Sequence, residues 1–259
     1  ALHFPPLLGY KGYPGIAVAY KNALADLRAF ERGGVDAVII ENNYDIPHAV
    51  TVRASVLISM AVLAERIRAA TRLPLGISVL WNDYQAALSL AKIFRYQFIR
   101  IPVFVDTVRT ECGLIRGNPR DVISFRSRIK AENIALLTDI HVKHSKLISK
   151  HSLIQSAKLA FKNGADGIIM TGTWTGEAPD VEELQSIRKA VGDFPLLVGS
   201  GADINNSNSL LSAANGFIVS TSLKDGGPTG GPNVKSYDQR ISGTLTKAFV
   251  AAVRKRSTS

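Results

Sequence analysis

A single cysteine, Cys112, stands among 259 residues, which excludes an intramolecular disulfide and any metal site built from several thiolates. That scarcity fits an intracellular, reducing setting. No apolar run is long enough to span a bilayer, and the first residues lack a basic segment leading into an apolar core and a cleavage site. The expectation is a soluble, cytoplasmic chain. Pro/Ser-rich linkers, low-complexity tracts and long charge blocks are missing as well, so residues 1–259 are expected to form one domain. The richest Gly/Pro stretch, Gly226 to Pro232, reads as a loop.

Acidic residues are outnumbered, 21 against 31 Lys and Arg, leaving a net charge of +10. The excess is spread over helical segments, with one tight basic run at Arg254, Lys255 and Arg256. No nucleic-acid recognition motif accompanies it, so nucleic acid is not an expected partner. Phosphorylated metabolites or anionic lipid headgroups are the partners such a charge suits. With 46% hydrophobic and 20% charged residues, the chain can bury a full core.

Short β-branched runs alternate with amphipathic segments throughout. Eight strands are expected, at Leu2 to Phe4, Val35 to Ile40, Leu75 to Leu80, Phe98 to Ile101, Ile134 to Ile140, Gly167 to Met170, Leu196 to Val198 and Phe217 to Ser220. Helical spacing of three or four links Val52, Val56, Met60, Leu63 and Ile67, and again Ile241, Leu245, Phe249 and Val253. Gly34-Val35-Asp36, Gly164-Ala165-Asp166 and Ala214-Asn215-Gly216 repeat one pattern, a helix end followed by re-entry into a buried strand. Eight such units, with no dinucleotide-binding glycine fingerprint after the first strand, predict an α/β (β/α)8 TIM barrel rather than a doubly wound sheet. Its chemistry then belongs to the loops that follow the strands.

Polar residues gather there. Ile134 to His144 runs from an apolar strand into alternating titratable groups, and strand alternation puts Asp139, His141 and Lys143 on one face. Glu41 and Asn42 end the second strand, Asn82 and Asp83 follow the third, Arg100 lies on the fourth and Thr171 follows the sixth. Gly199, Ser200 and Gly201 end the seventh strand, and Thr221, Ser222 and Lys224 follow the eighth. In many barrels these last two loops hold a phosphate, with glycines letting backbone N–H groups approach its oxygens. Taken singly, several have blander roles: Asp83 suits a helix cap, Asn42 a local turn. Cys112 would act as a nucleophile only if His141 or His144 came beside it. Asp139, His141 and His144 match no trusted zinc spacing, and no metal or cofactor is expected. Trp81 and Trp174 are candidates to stack on a base or sugar, or to cover the barrel mouth.

In order along the chain, Glu41-Asn42 with Asp45 and Pro47, Val79-Leu80 with Asn82-Asp83, Phe98-Ile99-Arg100, Asp139 with His141-Val142-Lys143-His144, Thr171-Gly172 with Thr175-Gly176, Val198-Gly199-Ser200-Gly201 and Leu223-Lys224 resemble the BtpA/SgcQ family. The resemblance implies a ribulose-phosphate-binding type of TIM barrel. Members of that family are named for photosystem I biogenesis, as peripheral proteins on the cytoplasmic side of photosynthetic membranes, while others are called nucleosidase-like. Trp81, Cys112 and His48 stand where the family usually carries Arg, Gln and Phe, so the substrate is expected to differ from that of typical members.

Two functions follow. One is an enzyme on a phosphorylated sugar or nucleoside, with phosphate at Gly199 to Gly201, Thr221 to Lys224 and Arg100 or Lys143. Glu41, Asp83 and Asp139 are then its candidate carboxylates and His141 its acid. Asn42, Asn82 and Thr171 would contact the substrate, and Lys143 could instead form a Schiff base if burial lowers its pKa. The other is a non-catalytic photosystem I assembly factor held to an anionic membrane surface by its positive charge. Barrels of this size often pair through their helices, which makes a homo-oligomer an expectation of either.

Overall fold

The computed structural model describes residues 1–227 and 235–256, the side chain of Arg256 excepted. Most of the loop expected over Gly226 to Pro232 lies outside them. In chain order the elements are β1 (Leu2–His3), α1 (Ile16–Gly33), β2 (Val38–Glu41), α2 (Ala54–Ala70), β3 (Leu75–Ser78), α3 (Tyr84–Phe94), β4 (Phe98–Ile101), β5 (Thr107–Thr110), β6 (Gly113–Arg116), α4 (Pro119–Arg128), β7 (Ala135–Ile140), β8 (Lys146–Leu147), α5 (Leu153–Lys162), β9 (Gly167–Met170), α6 (Val181–Val191), β10 (Leu196–Val198), α7 (Ser207–Leu210), β11 (Gly216–Phe217) and α8 (Gly243–Arg256).

Eight strands lie parallel in the order β1-β2-β3-β4-β7-β9-β10-β11, each beside the strand one unit away in sequence. Each expected strand has a counterpart, but the last is Gly216–Phe217 and not Phe217 to Ser220, since the chain leaves the sheet after Phe217. Parallel strands covered by helices read as unbroken apolar runs, and β2, β3 and β9 are buried at each residue. Between the first and last units, the Ala1 nitrogen donates to the Val219 carbonyl at 2.6 Å, linking the two edges of the curled sheet.

The helices bury the stripes their spacing foretells. In α2 these are Val56, Met60, Leu63 and Ile67. In α8 Phe249 is buried, but Leu245 faces solvent. Gly34 closes α1 with left-handed backbone (φ 79°), its N–H returning to the Phe30 and Glu31 carbonyls, and the chain turns into β2. Gly76 is needed for packing, because a Cβ there would lie 2.0 Å from the Phe98 ring.

A three-stranded antiparallel sheet, β6-β5-β8, interrupts the barrel pattern. It rises from the loops after β4 and β7, over the ends of the central strands. Val108 and Ile115 from this sheet join Trp81, Val103 and Val142 in a small apolar cluster separate from the main core.

Candidate active site

One cavity of about 650 Å³ opens where the strands end. At its floor Arg100, on β4, is clamped by two carboxylates. Its Nε and Nη2 donate to the two Asp139 oxygens at 2.8 and 2.7 Å, and Nη1 donates to Glu41 Oε1 at 3.2 Å. All three side chains are buried, so each depends on the others for compensation. Burial alone would raise the Glu41 carboxyl, but Arg100 and then His3, at 3.5 Å, hold it well below the ordinary range. Burial raises Asp139, opposed by Arg100; the fork of two N–H groups aimed at its oxygens favours the carboxylate. Arg100 keeps its proton more tightly than usual, since its two partners outweigh desolvation. Gly199 leaves the space above this clamp open: a Cβ there would lie 2.5 Å from Ile169 Cγ2 and 3.4 Å from Arg100 Nη2.

Three lysines line the same cavity; Lys235 spends its ammonium on the Lys224 and Gly226 carbonyls, which leaves Lys143 and Lys224. Lys143, beyond β7, is brought down to about 8 by burial and by Arg100, with Glu41 and Asp139 opposing. Its backbone N–H donates to Thr171 Oγ1 at 3.0 Å, and Nζ donates to Thr175 Oγ1 at 3.4 Å. Lys224, after β11, is likewise lowered to about 8, chiefly by burial. Its Nζ donates to Tyr44 Oη at 2.9 Å and to the Ser236 carbonyl at 3.4 Å, and lies 5.1 Å from the Tyr44 ring centre. Neither ammonium meets a carboxylate among the described residues. Burial brings His3 and His144 to about 4, leaving both imidazoles neutral at pH 7.

Glu41, Arg100, Lys143, Gly199, Ser200, Gly201, Thr221, Ser222 and Lys224 of the expected set all line the cavity. Asp139 and Thr171 sit just behind it, holding Arg100 and Lys143. The other candidates serve the scaffold. Asn42 exchanges hydrogen bonds with the Leu80 backbone at 2.7 and 3.3 Å, and Asn82 does the same with Val103 at 2.8 and 2.9 Å, stapling successive loops together. Asp83 caps α3 through the Ala86 N–H and also accepts from the Val52 N–H, both at 3.0 Å.

His141 does not share the cavity face of Lys143. The strand ends at Ile140, and His141 takes a left-handed conformation (φ 48°) that breaks the alternation. Its Nε2 is buried without a hydrogen-bond partner among the described residues. The cavity imidazole beside Lys143 is instead His144, whose Nε2 lies 2.7 Å from Thr175 Oγ1 and whose ring meets Trp174 in an edge-to-face arrangement at 5.3 Å; His3 and His48 line other parts of the wall. His3, His48, Tyr44 and Glu111 also carry no motif that single-sequence reasoning would select. Glu111 reaches the cavity only because the β5–β6 hairpin folds over it.

The Gly201 backbone is positive in φ (65°), and a Cβ on it would fall 2.0 Å from Ala178 N, so this glycine is required where the β9 and β10 loops touch. Cys112 Sγ donates to the His48 carbonyl at 2.9 Å, and burial together with Glu111 raises its thiol, so it lacks the base a nucleophile needs. Among the described residues no three His, Cys, Asp or Glu side chains converge as metal ligands do.

Eight parallel strands with a charged cavity at their ends define a TIM-barrel protein of the α/β class. Solved structures agree on the fold: the one described as "Native KDPGal structure" superposes with a TM-score of 0.60 at 14% identity, covering 92% of this chain and 91% of that one. N-(5'-phosphoribosyl)anthranilate isomerase from Pyrococcus furiosus gives 0.55 at 13% identity over 89% and 95%. The chain belongs to the BtpA family, whose model matches residues 1–241. Photosystem I biogenesis protein BtpA of Synechocystis is 34% identical over 255 residues, 97% of this chain and 86% of its own. An uncharacterised protein of Pyrococcus horikoshii is 35% identical over 88% and 87%.

Proposed function

We propose that this barrel is an enzyme acting on a phosphorylated sugar or nucleoside held in the cavity at its strand ends. The observation that carries this reading is the pair Lys143, half-buried, and Lys224, buried, two ammonium groups in one cavity with no carboxylate against either among the described residues. Burying unpaired charge is costly, and a bound anion would offset that cost. Ser220 Oγ, buried at the cavity wall and without a partner among the described residues, adds a donor on the Lys224 side. The phosphate belongs to that side, with Ser200 and the segment from Thr221 to Lys224. Glu41, Lys143 and His144 then face the reacting part of the substrate. Glu41 supplies fixed negative charge for an oxocarbenium-like centre, and the neutral His144 ring accepts or returns a proton.

Thermal melting in the presence of ribose 5-phosphate, ribulose 5-phosphate and nucleoside monophosphates, each beside its unphosphorylated counterpart, tests the reading. A ligand at about a hundred times its Kd adds about 2.7 kcal/mol to stability. Melting temperatures should rise with the phosphorylated compounds alone, and Lys224→Ala should abolish the rise. A flat response to every phosphate would sink the proposal.

A second reading rests on the Synechocystis relative: a non-catalytic photosystem I assembly factor that meets an anionic membrane through its +10 charge. No described helix is long and apolar enough to cross a membrane. This reading predicts salt-sensitive sedimentation with anionic vesicles and indifference to small phosphates.

A further inference from the structure

Thr175, in the loop after β9, joins one of the cavity's amines to an imidazole. Its hydroxyl oxygen lies 3.4 Å from Lys143 Nζ and 2.7 Å from His144 Nε2, and all three side chains line the cavity. Lys224 is occupied by Tyr44 and Ser236, whereas Lys143 Nζ has Thr175 as its one hydrogen-bond partner among the described residues. The His144 ring is also held in place. Its backbone is left-handed (φ 57°), its N–H donates to the Thr173 carbonyl at 3.2 Å, and Trp174 abuts its face. Loop β9 therefore positions both ends of the relay.

We infer that Lys143 is the amine of an imine-forming site for a carbonyl compound, with Thr175 relaying protons between Lys143 and His144. The inference rests on the phosphate-binding enzyme proposed above and narrows its substrate to the open-chain form of a sugar phosphate. In the first step the Nζ lone pair attacks the carbonyl carbon. A C–N bond forms, the C=O π pair moves to oxygen, and that oxygen takes a proton while nitrogen gives one up. In the second step the hydroxyl takes another proton and leaves as water, and the nitrogen lone pair closes the C=N bond. One water is released, and no oxidant or reductant is consumed.

The hydrogen bonds run in the direction the first step needs. Nζ donates to Thr175 Oγ1, and the Thr175 hydroxyl donates to Nε2 of a neutral His144 protonated on Nδ1; His144 then gives that proton back through the Thr175 hydroxyl to the substrate oxygen, and the second proton, which lets the oxygen leave as water, comes from solvent. With Lys143 brought down to about 8, a usable fraction of its amine is neutral near physiological pH. Behind it, Glu41 and Asp139 are both committed to Arg100, and among the described residues no carboxylate forms an ion pair with the Lys143 ammonium.

Borohydride reduction of the full chain mixed with ribulose 5-phosphate, followed by peptide mapping, tests this. Lys143 should be alkylated about tenfold or more faster than the exposed Lys162 and Lys189, which report ordinary solution reactivity. Thr175→Val should slow labelling of Lys143 about tenfold without lowering the melting temperature, and Thr175→Ser, which keeps the hydroxyl, should restore it. Lys143 labelled no faster than the surface lysines, or labelled equally fast in Thr175→Val, would overturn the inference. If Lys143 stays unlabelled while ribulose 5-phosphate still raises the melting temperature, the imine fails and phosphate binding stands; with neither effect, both fail.

Discussion

Arg100 shows how one residue governs both stability and chemistry at this site. It is the common partner of two buried carboxylates, and removing it strands both. Arg100→Met should therefore cost about 3 kcal/mol or more in urea unfolding at pH 7, part of it recovered in mild acid as the stranded carboxyls take up protons. A loss under 1 kcal/mol would mean that water compensates Glu41 and Asp139 without help. Gly201→Ala tests a different constraint. Its new Cβ would meet backbone 2.0 Å away in a left-handed conformation, so an expected loss of about 2 kcal/mol or more has a steric origin and should persist at every pH. At this scale the sequence is legible where a residue's role depends on its place along a strand. Arg100, Glu41 and Lys143 can be placed at the cavity from sequence because the strand ends of a barrel share one mouth. His141 was misplaced because alternation cannot anticipate a left-handed residue immediately after Ile140. Asn42 and Asn82 have the side chains of substrate ligands, and only tertiary structure shows their amides spent on neighbouring loops.

Among the elements, the β6-β5-β8 sheet is what turns an ordinary barrel mouth into a walled cavity. Its apolar contacts go to Trp81, Val103 and Val142, not to the main core, so it is an attachment able to open on its own. Val108→Asp, placing a carboxylate at a site only 1% exposed, should detach the hairpin and leave the barrel folded. In a Trp174→Phe background the remaining tryptophan, Trp81, should then shift its emission to the red, and proteases should cut between residues 107 and 118 while the main melting transition stays nearly unchanged. Collapse of the whole transition would show that hairpin and barrel unfold together. The eight barrel strands were readable because each is an apolar run bounded by turn signals. The hairpin was not: Thr107–Thr110 and Gly113–Arg116 are four-residue strands carrying arginines and threonines, with only five residues between β4 and β5. Their pairing is set by the cluster beneath them.

For the molecule as a whole, the site's perturbed groups tie stability to pH and to ligand. His3 and His144 have folded values near 4 against about 6.5 unfolded, so the unfolded chain binds more protons between those limits and stability should fall as pH drops from about 6.5 to 4. Asp45, raised to about 6 by burial, acts oppositely: its contribution is present below its ordinary value and is lost as pH rises toward 6. His48 and the Ala1 amine are lowered by burial as these histidines are, and Asp26 and Asp139 are raised as Asp45 is, so His3→Gln with His144→Gln should remove the share of the acid fall in urea midpoints that belongs to these two rings. Lys143 and Lys224, lowered from 10.5 to about 8, make the unfolded chain the better proton binder in that upper window, so they contribute stability that grows from pH 8 to pH 10.5. A phosphate in the cavity should reverse this part. It favours the Lys224 ammonium and draws its value back up, so that lysine's share of the alkaline gain should vanish at saturating ribulose 5-phosphate. By the same linkage, affinity should weaken about tenfold per pH unit as Lys224 loses its proton above pH 8. Calorimetric titrations at pH 7, 8 and 9 measure that slope. A Kd independent of pH across this range would place the phosphate away from Lys224.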